Sequence, residues 1–101
     1  MSVDFYQVIA RYYPQEGQTE NVLGHLAELA VASRTEPANL SYEYFRGVEN
    51  PDEIVIIESY TDAAGFDAHR VTPHFETIGL GTIIPLLANR VVVKMNASPD
   101  A

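Results

Sequence analysis

The chain has 101 residues, of which 47% are hydrophobic and 20% are charged, and this composition fits one globular domain. Its net charge of -8 argues against nucleic acid and against an anionic membrane surface as partners, because both would be repelled. The absence of cysteine excludes disulfides and thiolate chemistry, and the opening residues lack the pattern of a signal peptide, so a cytoplasmic location is expected.

The first elements in chain order are a strand and a helix. Residues 4–13 are rich in aromatic and β-branched residues and stop at Pro14, which is typical of a strand. Residues 19–34 carry apolar side chains at helical spacing, and Thr19 is the expected N-cap.

The next two strands are predicted to form a hairpin. Residues 39–47 and 53–60 are strand-like runs separated by turn-forming residues. Pairing Tyr42 opposite Glu58 is favoured, because a slip of one residue would place Glu43 opposite Glu58 and oppose two like charges.

The last part of the chain predicts helical segments and a final strand. Residues 62–70 have helical spacing, and Thr72–Pro73 is typical of a cap followed by the start of a second helix. Gly79 and Gly81 interrupt the pattern before a short helical turn over residues 83–87. The last strand is expected over residues 91–95.

This order of elements predicts an α+β, ferredoxin-like split βαβ fold, with an antiparallel sheet and helices on one face. A single domain over residues 1–96 is followed by a frayed C-terminal tail, 97–101. The apolar runs Val55–Ile57 and Val91–Val93 place apolar side chains on both faces of the sheet. We therefore expect a homodimer that packs sheet face against sheet face.

Two imidazoles, His69 and His74, flank a proline and are the first candidates for chemistry. Histidine exchanges protons near neutral pH, so either could act as a general base. Either could equally be a hydrogen-bonding residue of the core. No metal site is predicted, because the two residues are five apart across the proline and no cysteine or carboxylate lies beside them at ligand spacing.

Glu58 is an unusual charge, since it interrupts an apolar strand. A buried carboxylate has a raised pKa or needs a partner, and Tyr42 across the hairpin is the candidate partner. The structural alternative is a satisfied buried pair that fixes the sheet register, or an ion pair with Arg70 or Arg90.

Six Tyr and four Phe would suit either an aromatic ligand or an ordinary core, and Phe66 and Phe75 beside the two histidines are candidate contacts to such a ligand. The sequence has no phosphate-binding loop, nucleophile elbow, metalloprotease helix or dinucleotide fingerprint. No cofactor is therefore expected.

Three segments, in this order and spacing, resemble the antibiotic biosynthesis monooxygenase domain family: Glu36–Glu43, Ile57–Tyr60 and His69–Phe75. The resemblance spans roughly residues 5–95. It implies the dimeric α+β barrel, which agrees with the predicted order of elements.

The resemblance also implies an activity: oxidation of a small phenolic or quinol-like substrate by O2 without flavin, haem or metal. Asn39, Tyr42, Glu58, His69 and His74 match pocket positions of the family. The implied mechanism has His69, oriented by Glu58, remove a phenolic proton, while His74 or Tyr42 binds the oxyanion.

Two departures and two alternatives accompany the resemblance. Ala38 stands where the family often has glycine, so a positive-φ turn there would be strained unless the turn differs. The absence of tryptophan argues against haem degradation. One alternative is an isomerase of the autoinducer-2 signal-processing type, which would need cationic groups to hold its substrate. The other is a non-catalytic small-molecule binding module.

Overall fold

A computed structural model describes residues 4–99, and it consists of a four-stranded antiparallel sheet with helical segments on one face. The elements are β1 (Phe5–Pro14), α1 (Thr19–Ser33), β2 (Asn39–Arg46), β3 (Ile54–Tyr60), α2 (Ala63–Arg70), a π-helical segment (Phe75–Ile83), a 3-10 turn (Ile84–Leu86) and β4 (Leu87–Ala97). The strand order β2-β3-β1-β4 confirms the predicted ferredoxin-like α+β fold. Between residues 4 and 99, no helix combines the length and apolar character needed to cross a bilayer.

The predicted hairpin register is confirmed. Tyr42 on β2 lies opposite Glu58 on β3. On the other side of β3, Glu58 faces Val8 of β1, and Val8 in turn faces Lys94 of β4. Because directly opposed residues point to the same face of a sheet, these four side chains form one row on the face that carries the helices.

The helix α1 packs its apolar stripe on the sheet, but its first residue is not the cap that the sequence indicated. Val22 and Leu26 are fully buried in the core. The N-cap residue is Gln18, which makes no side-chain cap hydrogen bond, and Thr19 already belongs to the helix. Thr19 Oγ1 donates to Asp52 Oδ1 at 2.8 Å instead, which ties the start of α1 to the hairpin loop.

The second helical region begins as predicted and then changes from α-helical to π-helical geometry. Asp62 caps α2, since its side chain accepts from the backbone N–H of Gly65 at 2.8 Å. Thr72 Oγ1 accepts from the N–H of Phe75, and the chain turns helical at Pro73. The predicted interruption at the glycines is a π-helical segment, in which a side chain at Gly79 would come within 3.0 Å of the Phe75 ring.

The strand β4 extends beyond the predicted residues 91–95. Asn96 and Ala97 pair with Tyr6 and Phe5, so these two residues belong to the sheet and are not frayed. Asp100 and Ala101, the end of the predicted tail, lie outside the described residues.

The turn before β2 avoids the strain considered for Ala38. Across residues 4–99, no residue other than glycine has a positive φ, so the turn has a different geometry. The Ala38 side chain packs closely against α2, because a Cβ on Gly65 would lie 2.7 Å from the Cβ of Ala38.

The outer face of the sheet, opposite the helices, is also apolar. Ile9, Val55 and Ile57 are partly exposed there, and Val91 and Val93 are 45% and 48% exposed. The alternation along each strand thus leaves an apolar surface on the side without helices.

Candidate active site

A cavity of about 480 Å³ lies between the inner face of the sheet, α2 and the π-helical segment. Val8, Ala10 and Val92 of the sheet and the rings of Phe66 and Phe75 contribute its apolar lining. A volume of this size is typical of pockets for small organic ligands.

Glu58 brings a buried carboxyl group into the wall of this cavity. The residue is 6% exposed, and the hydroxyl of Tyr60 donates to its Oε1 at 2.7 Å. Burial raises the pKa of Glu58 to about 7, although the hydrogen bond from Tyr60 opposes that rise. Both protonation states of Glu58 are therefore accessible near neutral pH.

His69 lies behind Glu58 and is 1% exposed. Its Nδ1 is 2.8 Å from Glu36 Oε2, and its Nε2 is 3.6 Å from Glu58 Oε1. Burial lowers the pKa of His69, while the hydrogen bond to Glu36 raises it. With Glu36 as a carboxylate, His69 donates through Nδ1–H, and its unprotonated Nε2 faces Glu58.

The residue that orients His69 differs from the one that the sequence indicated. Glu36 makes the hydrogen bond to the imidazole, whereas Glu58 lies beyond hydrogen-bond distance. Sequence reasoning missed this role because Glu36 precedes His69 by 33 residues and lies in the connection after α1. The sequence pointed to Glu36 in one way only, because Glu36 begins the first of the three segments that resemble the family.

His74 contacts the same carboxylate from the other side. Its Nε2 is 2.5 Å from Glu36 Oε2, and its side chain is 21% exposed. Glu36, His69 and His74 each offer one ligand atom, and these atoms lie within 4.8 Å of one another. The cluster has the donor types of a divalent transition-metal site, which residue spacing did not indicate because the carboxylate comes from a remote segment.

The two remaining predicted residues belong to the sheet. Tyr42 lies beside Glu58 and is 2% exposed, and burial raises its pKa well above the usual value, but the hydroxyl that bonds Glu58 is that of Tyr60. The side-chain amide of Asn39 donates to the carbonyl oxygen of Ser41 at 3.1 Å, where the β2–β3 register shifts.

The predicted residues therefore fall into three groups. Glu58, Phe66 and Phe75 line the cavity. His69 and His74 lie behind it and meet through Glu36, and the sheet residues Asn39 and Tyr42 do not line it.

Basic residues also line the cavity; the sequence offered them as partners of Glu58 or as cationic groups for the isomerase alternative, but it did not place them in the predicted site. Arg70 comes from α2, and Arg90 and Lys94 come from β4. Across residues 4–99, neither Arg70 nor Arg90 forms an ion pair with Glu58, whose Oε1 instead lies 3.6 Å from Nε2 of His69. The structural alternative of an Arg–Glu58 pair is therefore not what the structure contains.

The family model described as antibiotic biosynthesis monooxygenase matches residues 5–78. A crystal structure of an antibiotic biosynthesis monooxygenase is 32% identical, has a TM-score of 0.85, and is matched over 93% of this chain and 99% of that chain. No curated protein matches the chain.

Two further solved structures share the fold. A protein from Pseudomonas aeruginosa is 25% identical with a TM-score of 0.84, over 92% of this chain and 93% of that one. A protein from Shewanella oneidensis is 22% identical with a TM-score of 0.87, over 95% of this chain and 93% of that one. Since the family model covers well over half of the sequence, the chain belongs to the antibiotic biosynthesis monooxygenase family.

Proposed function

We propose that the protein is a cofactor-independent monooxygenase that oxidises a small phenolic or quinol-like substrate with O2. The observation that carries this proposal is the carboxyl group of Glu58, which lies in the cavity wall together with apolar side chains and has its pKa raised by burial to about 7. Membership of the family and the 32% identity to a named antibiotic biosynthesis monooxygenase support the reaction class.

The first chemical step is removal of the phenolic proton. Glu58 is the buried carboxyl group of the cavity lining, so in this proposal it meets the substrate hydroxyl and accepts the proton. The unprotonated Nε2 of His69 is 3.6 Å from Glu58 Oε1, and in this proposal it receives the proton once a small side-chain movement brings the two atoms to hydrogen-bond distance. Glu36 is a positioning residue here, because it holds the His69 ring and stabilises the imidazolium that forms.

The electrons come from the substrate itself. The phenolate transfers one electron to O2, and the resulting phenoxyl radical and superoxide combine at a ring carbon to give a peroxide. Loss of water from the peroxide leaves a quinone. One oxygen atom of O2 thus enters the product, the other leaves as water, and the substrate supplies all four electrons. The aromatic walls of Phe66 and Phe75 keep the ring and O2 away from bulk water.

The test is O2 uptake by the purified protein with a panel of hydroquinones and polyphenols, before and after dialysis against a chelator, with autoxidation subtracted. We expect uptake that survives chelation, with one atom of labelled O2 in the product. Glu58→Gln should lower the rate by about 100-fold or more, as loss of a general base does. The matched control is Glu43→Gln, because Glu43 is an exposed residue of the neighbouring strand. Equal rates in both variants, or no uptake with any substrate, would contradict the proposal.

A second candidate function uses the same residues without O2. The three basic residues of the cavity are the cationic groups that an isomerase acting on a small anionic carbonyl compound would need. Glu58 and His69 would then move a proton between two carbon atoms of the substrate. Product formation under anaerobic conditions separates this reaction from the oxygenase.

We also propose that a second copy of the chain covers the outer face of the sheet. The apolar residues of that face support this arrangement, since Val91 and Val93 are 45% and 48% exposed in a single copy. A homodimer formed through this face leaves the cavity on the opposite side of each sheet.

A further inference from the structure

The cavity concentrates positive charge in a protein of net charge -8. Three of the six Lys and Arg side chains of the chain line it, namely Arg70, Arg90 and Lys94. All three are exposed as well, so their charges lie where the cavity meets solvent. One carboxylate from α2, that of Asp67, lines the same region.

The other three basic residues are already engaged. Arg11 and Arg46 each form an ion pair with a glutamate, at 2.9 Å and 2.7 Å. Arg34 donates to a backbone carbonyl oxygen at 2.7 Å. Over residues 4–99, by contrast, the three basic residues of the cavity form no ion pair within the chain. Arg90 does contact the Tyr12 side chain in the cavity wall, and Arg70 lies over the Phe66 ring, but neither partner carries a negative charge, so these cations can still bind an anion.

The sheet register places this charge at a defined distance from Glu58. Glu58, Val8 and Lys94 form one row across β3, β1 and β4, so the backbones at Glu58 and Lys94 are two strand spacings apart, about 10 Å. Arg90 lies four residues before Lys94 on the same face of β4. Ala10, a small residue on β1, leaves space above the sheet between the Glu58 carboxyl group and the cations of Arg90 and Lys94.

We propose that the cavity selects small aromatic compounds that carry a negatively charged substituent, which Arg90 and Lys94 bind at the β4 edge while the phenolic oxygen meets Glu58. This inference rests on the proposed function, since the reacting hydroxyl defines one end of the ligand. Arg70 adds a third positive charge at the mouth, and its guanidinium lies 5.9 Å from the ring centre of Phe66, which orders it there. The same charges stabilise the phenolate that forms after proton transfer.

The proposal is tested by anaerobic isothermal titration calorimetry, so that binding is measured without oxidation. The probes are a hydroxynaphthoate, its neutral methyl ester and a hydroxynaphthyl phosphate, which share the ring system and the phenolic hydroxyl and differ in the charged substituent. We expect the hydroxynaphthoate to bind roughly tenfold more tightly than its ester, the factor that one charge-assisted hydrogen bond supplies. The affinity of the charged probes should fall as NaCl is raised, whereas that of the ester should not.

Single substitutions test which basic residues bind the negatively charged substituent. Arg90→Gln and Lys94→Gln should each weaken hydroxynaphthoate binding severalfold and leave the ester unaffected. Arg11→Gln is the matched control, because Arg11 is an exposed arginine of β1 that alternates with the cavity-lining residues and so points to the outer face. The hydroxynaphthyl phosphate distinguishes the two anions: tighter binding than the carboxylate identifies a phosphate ligand, and weaker binding identifies a carboxylate ligand.

Failure of this inference and failure of the proposed function have different signatures. Equal affinity for acid and ester, or equal losses in Arg11→Gln and Lys94→Gln, would overturn the anionic substrate class even if O2 uptake is observed. Selective binding of the acid without O2 uptake from any probe would overturn the oxygenase and leave anion recognition standing.

Discussion

The carboxylate of Glu36 accepts the Nδ1–H of His69 at 2.8 Å, across 33 residues of sequence. This contact leaves Nε2 of His69 as the unprotonated atom that faces Glu58. The tautomer of a buried histidine is thus set by a residue outside the cavity, and it determines which way a proton can travel.

Replacing this partner should lower the pKa of His69. Glu36 raises the pKa of His69 against the effect of burial, so Glu36→Gln removes a stabilising charge and shifts the titration of His69 to lower pH. The shift is measured by NMR titration of the imidazole Cε1–H signals, with Glu49→Gln in the exposed hairpin loop as the control. An unchanged titration in Glu36→Gln would show that Glu36 does not hold the imidazole in solution.

The pH dependence of turnover should follow Glu58. A general base must be unprotonated, so kcat/KM is expected to rise with pH through a midpoint near 7 and then level off. Since Glu58 and His69 interact, the midpoint belongs to the pair. Residual activity of Glu58→Gln should lack this rise. A wild-type profile that falls through pH 7, or an identical rise in the glutamine variant, would assign the base to another group.

The same pKa predicts how stability depends on pH. Glu58 titrates near 4.3 in an unfolded chain and near 7 in the folded protein, so its contribution to the free energy of unfolding is full at low pH and is lost as pH rises through 7. The loss amounts to about 4 kcal/mol at 1.36 kcal/mol per pKa unit. Urea unfolding at several pH values should show this decline in the wild type and not in Glu58→Gln. His69, whose pKa is lowered, contributes with the opposite sign, so the quantity to compare is the difference between wild type and Glu58→Gln at each pH.

Replacing a helical glycine by alanine should change the free energy of unfolding with opposite signs at two positions, Gly65 and Gly24. A Cβ at Gly65 would lie 2.7 Å from the Cβ of Ala38 and 3.3 Å from that of Tyr60, so Gly65→Ala should destabilise the protein by about 1–3 kcal/mol. A Cβ at Gly24 meets nothing within 4 Å, so Gly24→Ala should stabilise it by about 0.5–1 kcal/mol. Urea unfolding measures both, and a stabilising Gly65→Ala would mean that the turn carrying Ala38 moves away from α2.

The pattern of residues predicted the fold better than it predicted the site. The sheet register follows from two local effects: apolar and polar side chains alternate along each strand, and Glu43 is kept from lying opposite Glu58. Both effects act between neighbouring residues of paired strands, so the sequence reveals them. Hydrogen bonds between remote segments leave no such periodic signal. For this reason the sequence missed two contacts. Thr19 hydrogen-bonds Asp52 instead of capping α1, and the hydrogen-bond partner of His69 is Glu36 instead of Glu58.

The proposed dimer should be broken by one charge on the outer face of the sheet. Val93→Glu places a carboxylate among the apolar residues of that face, where burial in an interface would leave it without a partner. We expect the wild type to sediment as a dimer at micromolar concentration and Val93→Glu to sediment as a monomer. Val31→Glu is the control, because Val31 is a 65% exposed valine of α1, which packs on the opposite face, and this variant should remain dimeric. A monomeric wild type, or loss of the dimer in Val31→Glu alone, would place the interface elsewhere or remove it.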